Sequence, residues 1–160
     1  MKLKQLESLL SNLQQFDNPK IELEQYPTGA HIASGMLYTA ENSYEDVSNK
    51  VVADFGCGCG TLGLAATLLD VEHVIGIKVD DESLEIASIN SDDLEVKMGL
   101  IQCKIKNLNF KGQIVDTVVI NPPFGTRKKG VDMEFLSVAL KVASQAVYSL
   151  HKTTTREVYL

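Results

Sequence analysis

The run Val51-Val52-Ala53-Asp54-Phe55-Gly56-Cys57-Gly58-Cys59-Gly60 constrains the fold more than any other stretch of the chain. A short apolar segment ends in glycines at every second position and opens directly into Thr61-Leu62-Gly63-Leu64-Ala65-Ala66. The pattern predicts a buried strand that turns sharply into a helix. Glycine serves such a turn because the backbone takes conformations barred to other residues and lets a ligand lie against the main chain. Turns of this kind sit at the carboxyl edge of a parallel sheet, where open α/β folds bind nucleotide-like cofactors. A glycine-rich loop with no ligand has the same spelling, so a second motif must decide.

The 160 residues, 44% of them apolar, suffice for one domain with a sizeable core. We expect a helical cover over about residues 1–45 and a core over about residues 50–150. Leu3, Leu6, Leu9, Leu10, Leu13 and Phe16 recur at helical spacing and predict an amphipathic helix over residues 2–16. Asp17-Asn18-Pro19 ends it, and a second helical pattern covers about residues 30–38. Beyond the glycine turn, residues 74–79, 99–104 and 115–120 read as strands. Asp80 is placed as the N-cap of a helix carrying Leu84, Ile86, Ala87 and Ile89. A last helix is expected over residues 133–150. Strands alternating with helices mean parallel βαβ units.

Charge and cysteine usage narrow the function. A net charge of -6 opposes broad, non-specific nucleic-acid binding, but leaves room for a local basic patch such as Arg127-Lys128-Lys129. Cys57 and Cys59 are too close in sequence for an unstrained disulfide, and the three cysteines lack zinc spacing, so no metal site is expected. A reduced intracellular compartment follows. The amino terminus mixes charge with its leucines and reads as neither a secretory signal nor a membrane span.

The deciding motif is Asn121-Pro122-Pro123-Phe124 at the end of the strand over residues 115–120. Two prolines there stiffen the chain and donate no ladder hydrogen bonds, which suits a binding site better than a sheet. With Asp54 to Gly60 matching the cofactor turn and Asn121 to Phe124 the catalytic tetrapeptide, the chain resembles the S-adenosylmethionine-dependent amino-methyltransferases. Leu23-Glu24-Gln25-Tyr26-Pro27-Thr28, Asn121 to Thr126 and Ala146 to Lys152 narrow the resemblance to the methyltransferase-like protein 5 family, adenine-N6 methyltransferases of small-subunit (18S) rRNA. It implies a Rossmann-like fold with a mostly parallel sheet, and a nuclear or cytoplasmic location. Asn121, Pro122, Pro123 and Phe124 would be catalytic, while Gln25, Thr28, Asp54, Gly56, Gly58, Cys59 and Leu62 would surround S-adenosylmethionine. Adenine in rRNA would be the substrate, and a small zinc-binding activator subunit the partner.

Three departures stand against full activity. The resemblance puts carboxylates, acceptors for the cofactor's ribose hydroxyls and adenine amine, where this chain has Lys78 and Lys104. An ammonium donates only and cannot replace them. We expect both lysines to be solvated at their strand ends, with Asp80 the one carboxylate placed to compensate for Lys78. The chain also stops before the family's last strands, which predicts an exposed edge along the strand over residues 115–120. The resulting expectation is a methyltransferase fold with an intact base-side motif and a damaged cofactor site, with S-adenosylmethionine binding weakened or lost and little or no methyl transfer. Alternatives are an active enzyme with Asp80 compensating, a non-catalytic RNA- or partner-binding module, and an oxidoreductase site using the basic residue after the second strand.

Overall fold

A computed structural model describes residues 1–15, 28–56, 59–108, 112–122 and 130–150. Five helices and five strands alternate through them. In chain order they are α1 (Leu3–Ser11), α2 (Ala30–Tyr44), β1 (Val51–Gly56), α3 (Thr61–Thr67), β2 (His73–Lys78), α4 (Asp81–Asp93), β3 (Gly99–Gln102), a 3-10 turn (Ile105–Asn107), β4 (Val115–Asn121), α5 (Val131–Val142) and β5 (Ala143–Ser149). The strands form one parallel sheet in the order β3-β2-β1-β4-β5, so the strand that carries the glycine turn is central.

Both faces of the sheet are covered, which is why β1 and β4 are apolar along most of their length. Val52, Val74 and Val119 pack with Leu6, Leu10, Leu37, Leu62 and Leu64 of α1, α2 and α3. On the other face Phe55, Ile77, Val118 and Ile120 meet Ile105, Ala139 and Val142. The central strand therefore delivers its carboxyl end between two helical layers.

Several expected boundaries move, each for a local reason. The first helix ends at Ser11, and the backbone of Gln14 pairs instead with the side chain of Asn90. Helix α2 runs on to Tyr44, where Glu45 in the left-handed conformation (φ 54°) closes it with bonds from its N–H to Ala40 and Glu41. Ile89 lies on the outer face of α4 rather than the buried one, 36% exposed. Strand β3 stops at Gln102, so Lys104 caps the 3-10 turn instead of ending a strand.

The largest correction is at the carboxyl end. The expected helix over residues 133–150 breaks at Val142, and residues 143–149 form β5 alongside β4. Helical spacing would put Leu140 on a buried face with Phe135, Leu136 and Ala139, but it is 62% exposed. Pairing with β4, against an alanine-rich and helix-like spelling, decides the state of residues 143–149. Strand β4 is consequently covered, and no exposed edge lies along it. The edges are β3 and β5.

Polar groups bind β5 to the loop before β1. Asp46 is buried; its carboxylate accepts from Gln145 Nε2 and Tyr148 Oη, and its backbone carbonyl accepts from Thr117 Oγ1 at 2.7 Å. The Tyr148 ring leans on that of Tyr44, with centroids 6.4 Å apart. Burial first, then the hydrogen bond to Asp46 and its negative charge, raise the Tyr148 hydroxyl above the usual tyrosine range.

Candidate functional site

The carboxyl ends of β1 and β4 lie side by side, with Gly56 in register against Asn121. A methyl group on Gly56 would come within 3.1 Å of the Asn121 backbone oxygen, so glycine permits this close approach. Asn121 Nδ2 donates to Thr28 Oγ1 at 2.7 Å. That bond uses the donor end of the amide and leaves its carbonyl oxygen as the acceptor. Thr28 is buried, and Pro122 beside Asn121 is buried too. Sequence elements 93 residues apart are thus joined at one point. Gln25, Gly58, Pro123, Phe124 and the run from Arg127 to Lys129 lie outside the described residues.

The glycine turn enters α3 through Gly60, whose φ of 87° is one that side chains disfavour. Cys59 and Leu62 are both buried. Thr61 is 3% exposed, and its hydroxyl has no hydrogen-bond partner among the described residues. A buried hydroxyl without a partner is costly unless something else supplies one. Behind the turn, Gly63 of α3 lies so close to β1 that an added methyl would stand 3.1 Å from the Asp54 carboxylate. The Gly63 N–H donates to Asp54 Oδ2 at 3.1 Å.

Lys78 corrects the expectation of a solvated lysine. It is 2% exposed, and its ammonium lies 3.2 Å from Asp54 Oδ2. The register explains the pair: Asp54 faces Gly76, which has no side chain, so Lys78, two residues on and on the same face, reaches diagonally across. Gly76 in turn leaves room for Met98, whose methyl group fills the space beside both Gly76 and Gly63. The lysine's charge is therefore spent inside the protein. Lys104 is exposed. Of the two lysines, one is thus paired in the interior and only the other is solvated as expected. Asp80 caps α4 by accepting from the Ser83 N–H at 3.3 Å, the role its sequence position indicated.

Sequence reasoning passed over two residues here. Asn90 is fully buried and contacts both the N-terminal cover and the turn through Gln14 and Cys59. Its spacing from Ile86 and Ala87, four and three residues, was the available signal, since it puts a polar group on the apolar face of α4. Thr61 was read only as the start of a helix. Among the described residues no group of His, Cys, Asp and Glu could hold a metal ion, and no helix is long and apolar enough to cross a membrane.

A family model described as the methyltransferase small domain matches residues 32–152. The rRNA N(6)-adenosine-methyltransferase METTL5 of Danio rerio is 47% identical over 160 residues, 98% of this chain and 77% of that protein. The corresponding Drosophila melanogaster enzyme is 42% identical, over 98% of this chain and 75% of its own length. Among solved structures, a candidate RNA methyltransferase of Pyrococcus horikoshii superposes with a TM-score of 0.87 at 35% identity, covering 99% of this chain and 76% of that one.

Proposed function

Since the chain belongs to the METTL5 family of the methyltransferase small-domain class, we propose that it is an S-adenosylmethionine-dependent adenine-N6 methyltransferase domain, residues 1–160, acting on 18S rRNA. The observation that carries this reading is the Asn121 amide, held by Thr28 at the carboxyl end of β4 with its carbonyl oxygen left to accept. An adenine amine is a poor nucleophile because its lone pair is delocalised into the ring. It reacts when acceptors stand where its protons point as the nitrogen becomes tetrahedral. The Asn121 side-chain oxygen and the Pro122 backbone oxygen are those acceptors, and Phe124 stacks on the unstacked base. The nitrogen's proton passes to water, and no group of shifted acidity is needed.

S-adenosylmethionine supplies, when bound, an electrophilic methyl group on a sulfonium. Its fit to this chain is divided. At the glycine turn the residues suit it in part: the Thr61 hydroxyl, without a partner among the described residues, is a ready polar contact, while Gly56 and Gly60 shape the turn by packing closely on Asn121 and Ala87. Gln25, Thr28, Asp54, Gly58, Cys59 and Leu62 complete the surround in this reading, Asp54 by holding α3. At the end of β2 they do not suit it, because Lys78 offers no acceptor to a ribose diol and its donors face Asp54. A lost charged hydrogen bond costs about 1.5–3 kcal/mol, or roughly ten- to a hundred-fold in affinity. Lys104 adds a similar loss on the adenine side. The burial of Lys78 removes the second penalty, repulsion of a cationic cofactor, so binding is weakened rather than abolished.

A small zinc-binding activator subunit and a nuclear or cytoplasmic place of work complete the proposal. The test is methyl transfer from labelled S-adenosylmethionine to 18S rRNA, by this chain and by Asn121→Ala, each with and without the activator. Weak transfer that vanishes in Asn121→Ala supports the reading. Cofactor-independent RNA binding with no transfer under any condition would replace it with a non-catalytic binding module.

A further inference from the structure

We propose that Asn90 is a positioning residue for the glycine turn: its buried amide clamps the turn to the backbone of the N-terminal cover, so that the shape of each depends on the other. Asparagine is a poor helix former, yet this one sits near the end of α4 at 0% exposure. Its Oδ1 accepts from the Gln14 N–H at 2.8 Å, and its Nδ2 donates to the Gln14 carbonyl at 3.0 Å and to the Cys59 carbonyl at 3.4 Å. A single side chain thus pairs both backbone groups of Gln14, as a neighbouring strand would, and reaches the turn with its remaining donor.

The Gln14 residue is exposed, so its backbone is held by these bonds together with the burial of its neighbour Leu13. The clamp joins positions 76 and 31 residues from Asn90 in the chain. Its grip on Cys59 falls one residue before Gly60, whose left-handed conformation aims the chain into α3 and sets the direction of the unpartnered Thr61 hydroxyl. A leucine of similar volume would fill the space and leave three backbone groups without their partner. The ligand-binding part of the test below rests on the methyl-donor reading; the clamp does not.

The experiment uses the full chain with Asn90→Leu, Asn90→Ala and, as a packing control in the separate core that α5 forms, Val142→Ala. Amide resonances of Gly60 and Thr61 and hydrogen exchange at Gln14 are followed by NMR, and S-adenosylhomocysteine binding by calorimetry. In the Asn90 variants the turn resonances move, Gln14 protection falls at least about ten-fold, and the ligand binds about ten-fold more weakly. Val142→Ala lowers the melting temperature but leaves the turn resonances in place. Turn resonances that superimpose on the parent's in a folded Asn90 variant, or that move as far in Val142→Ala, overturn the clamp. A parent that binds no ligand while its turn still responds to Asn90 overturns the methyl-donor reading and supports the clamp. Should both Asn90 variants fail to fold, the side-chain amide protons of Asn90 in the parent decide. Slow exchange supports the clamp, and exchange at the rate of a free amide overturns it.

Discussion

Lys78→Met removes one half of an ion pair whose side chains are 1% and 4% exposed. Among the described residues the Asp54 carboxylate would keep the Gly63 N–H at 3.1 Å and lose its countercharge at 3.2 Å. Breaking a buried pair from one side costs about 3–5 kcal/mol, because the remaining charge is left desolvated and unpaired. Against a total stability of about 5–15 kcal/mol, this is a large fraction. In a domain of this size each kcal/mol shifts the midpoint by about 2–4 °C, so a fall of roughly 6–20 °C is expected. Adding Asp54→Asn removes the orphaned charge while retaining an oxygen for Gly63. The double variant should therefore recover to within about 1–2 kcal/mol of the parent, with a coupling energy of at least about 2 kcal/mol. Urea unfolding of the four proteins, compared at equal m-value, measures the cycle. A Lys78→Met protein within about 1 kcal/mol of the parent, or additive single effects, would refute the pairing. Lys78→Asp puts a second carboxylate diagonally across from Asp54, and its cofactor affinity is interpretable only beside its stability.

Thr28→Val removes the donor's partner at Asn121 and frees the amide to rotate, which should lower methyl transfer about ten-fold or more with a stability loss near 1 kcal/mol; single-turnover rates and urea midpoints separate the two. Gly56→Ala presses a methyl against the backbone oxygen of Asn121, whereas Gly76→Ala meets the flexible end of Met98. The first should damage turnover more than stability and the second the reverse, and Met98→Ala should relieve only the second. For Tyr148 the folded protein holds its proton more tightly than the unfolded chain. Its stabilising contribution is therefore complete below about pH 10 and declines above it. Tyr148→Phe should flatten the alkaline limb of a stability–pH curve, and an unchanged limb would contradict the Asp46 contact.

The parallel sheet and its central strand were legible because β1 and β4 are apolar runs ending in glycine or Asn-Pro, a local signal that packing on both faces reinforces. Strand β5 was not, since Ala143, Ala146 and the Val-Tyr pair suit a helix equally and only pairing with β4 settles their period. Lys78 shows the other kind of loss. Its residue type says surface, and its burial depends on the absence of a side chain at Gly76 and on a carboxylate 24 residues away. Asn121 and Thr28 were each named as candidates, but the bond between them, 93 residues apart, could not be read from either neighbourhood.

Placing β1 in the middle of the sheet has a consequence during synthesis. Its β2 neighbour follows at once, but its other neighbour, β4, ends only at Asn121, about 65 residues after Gly56. At about 5–20 residues per second, one side of the most apolar strand waits some 3–13 s for its partner. During that interval the nascent chain presents an unpaired strand beside a glycine-rich turn, a surface suited to capture by a chaperone and to collision with another nascent copy. Slow codons between α4 and β4 would lengthen the exposure, so yield rather than turnover is the property most sensitive to translation speed in that stretch.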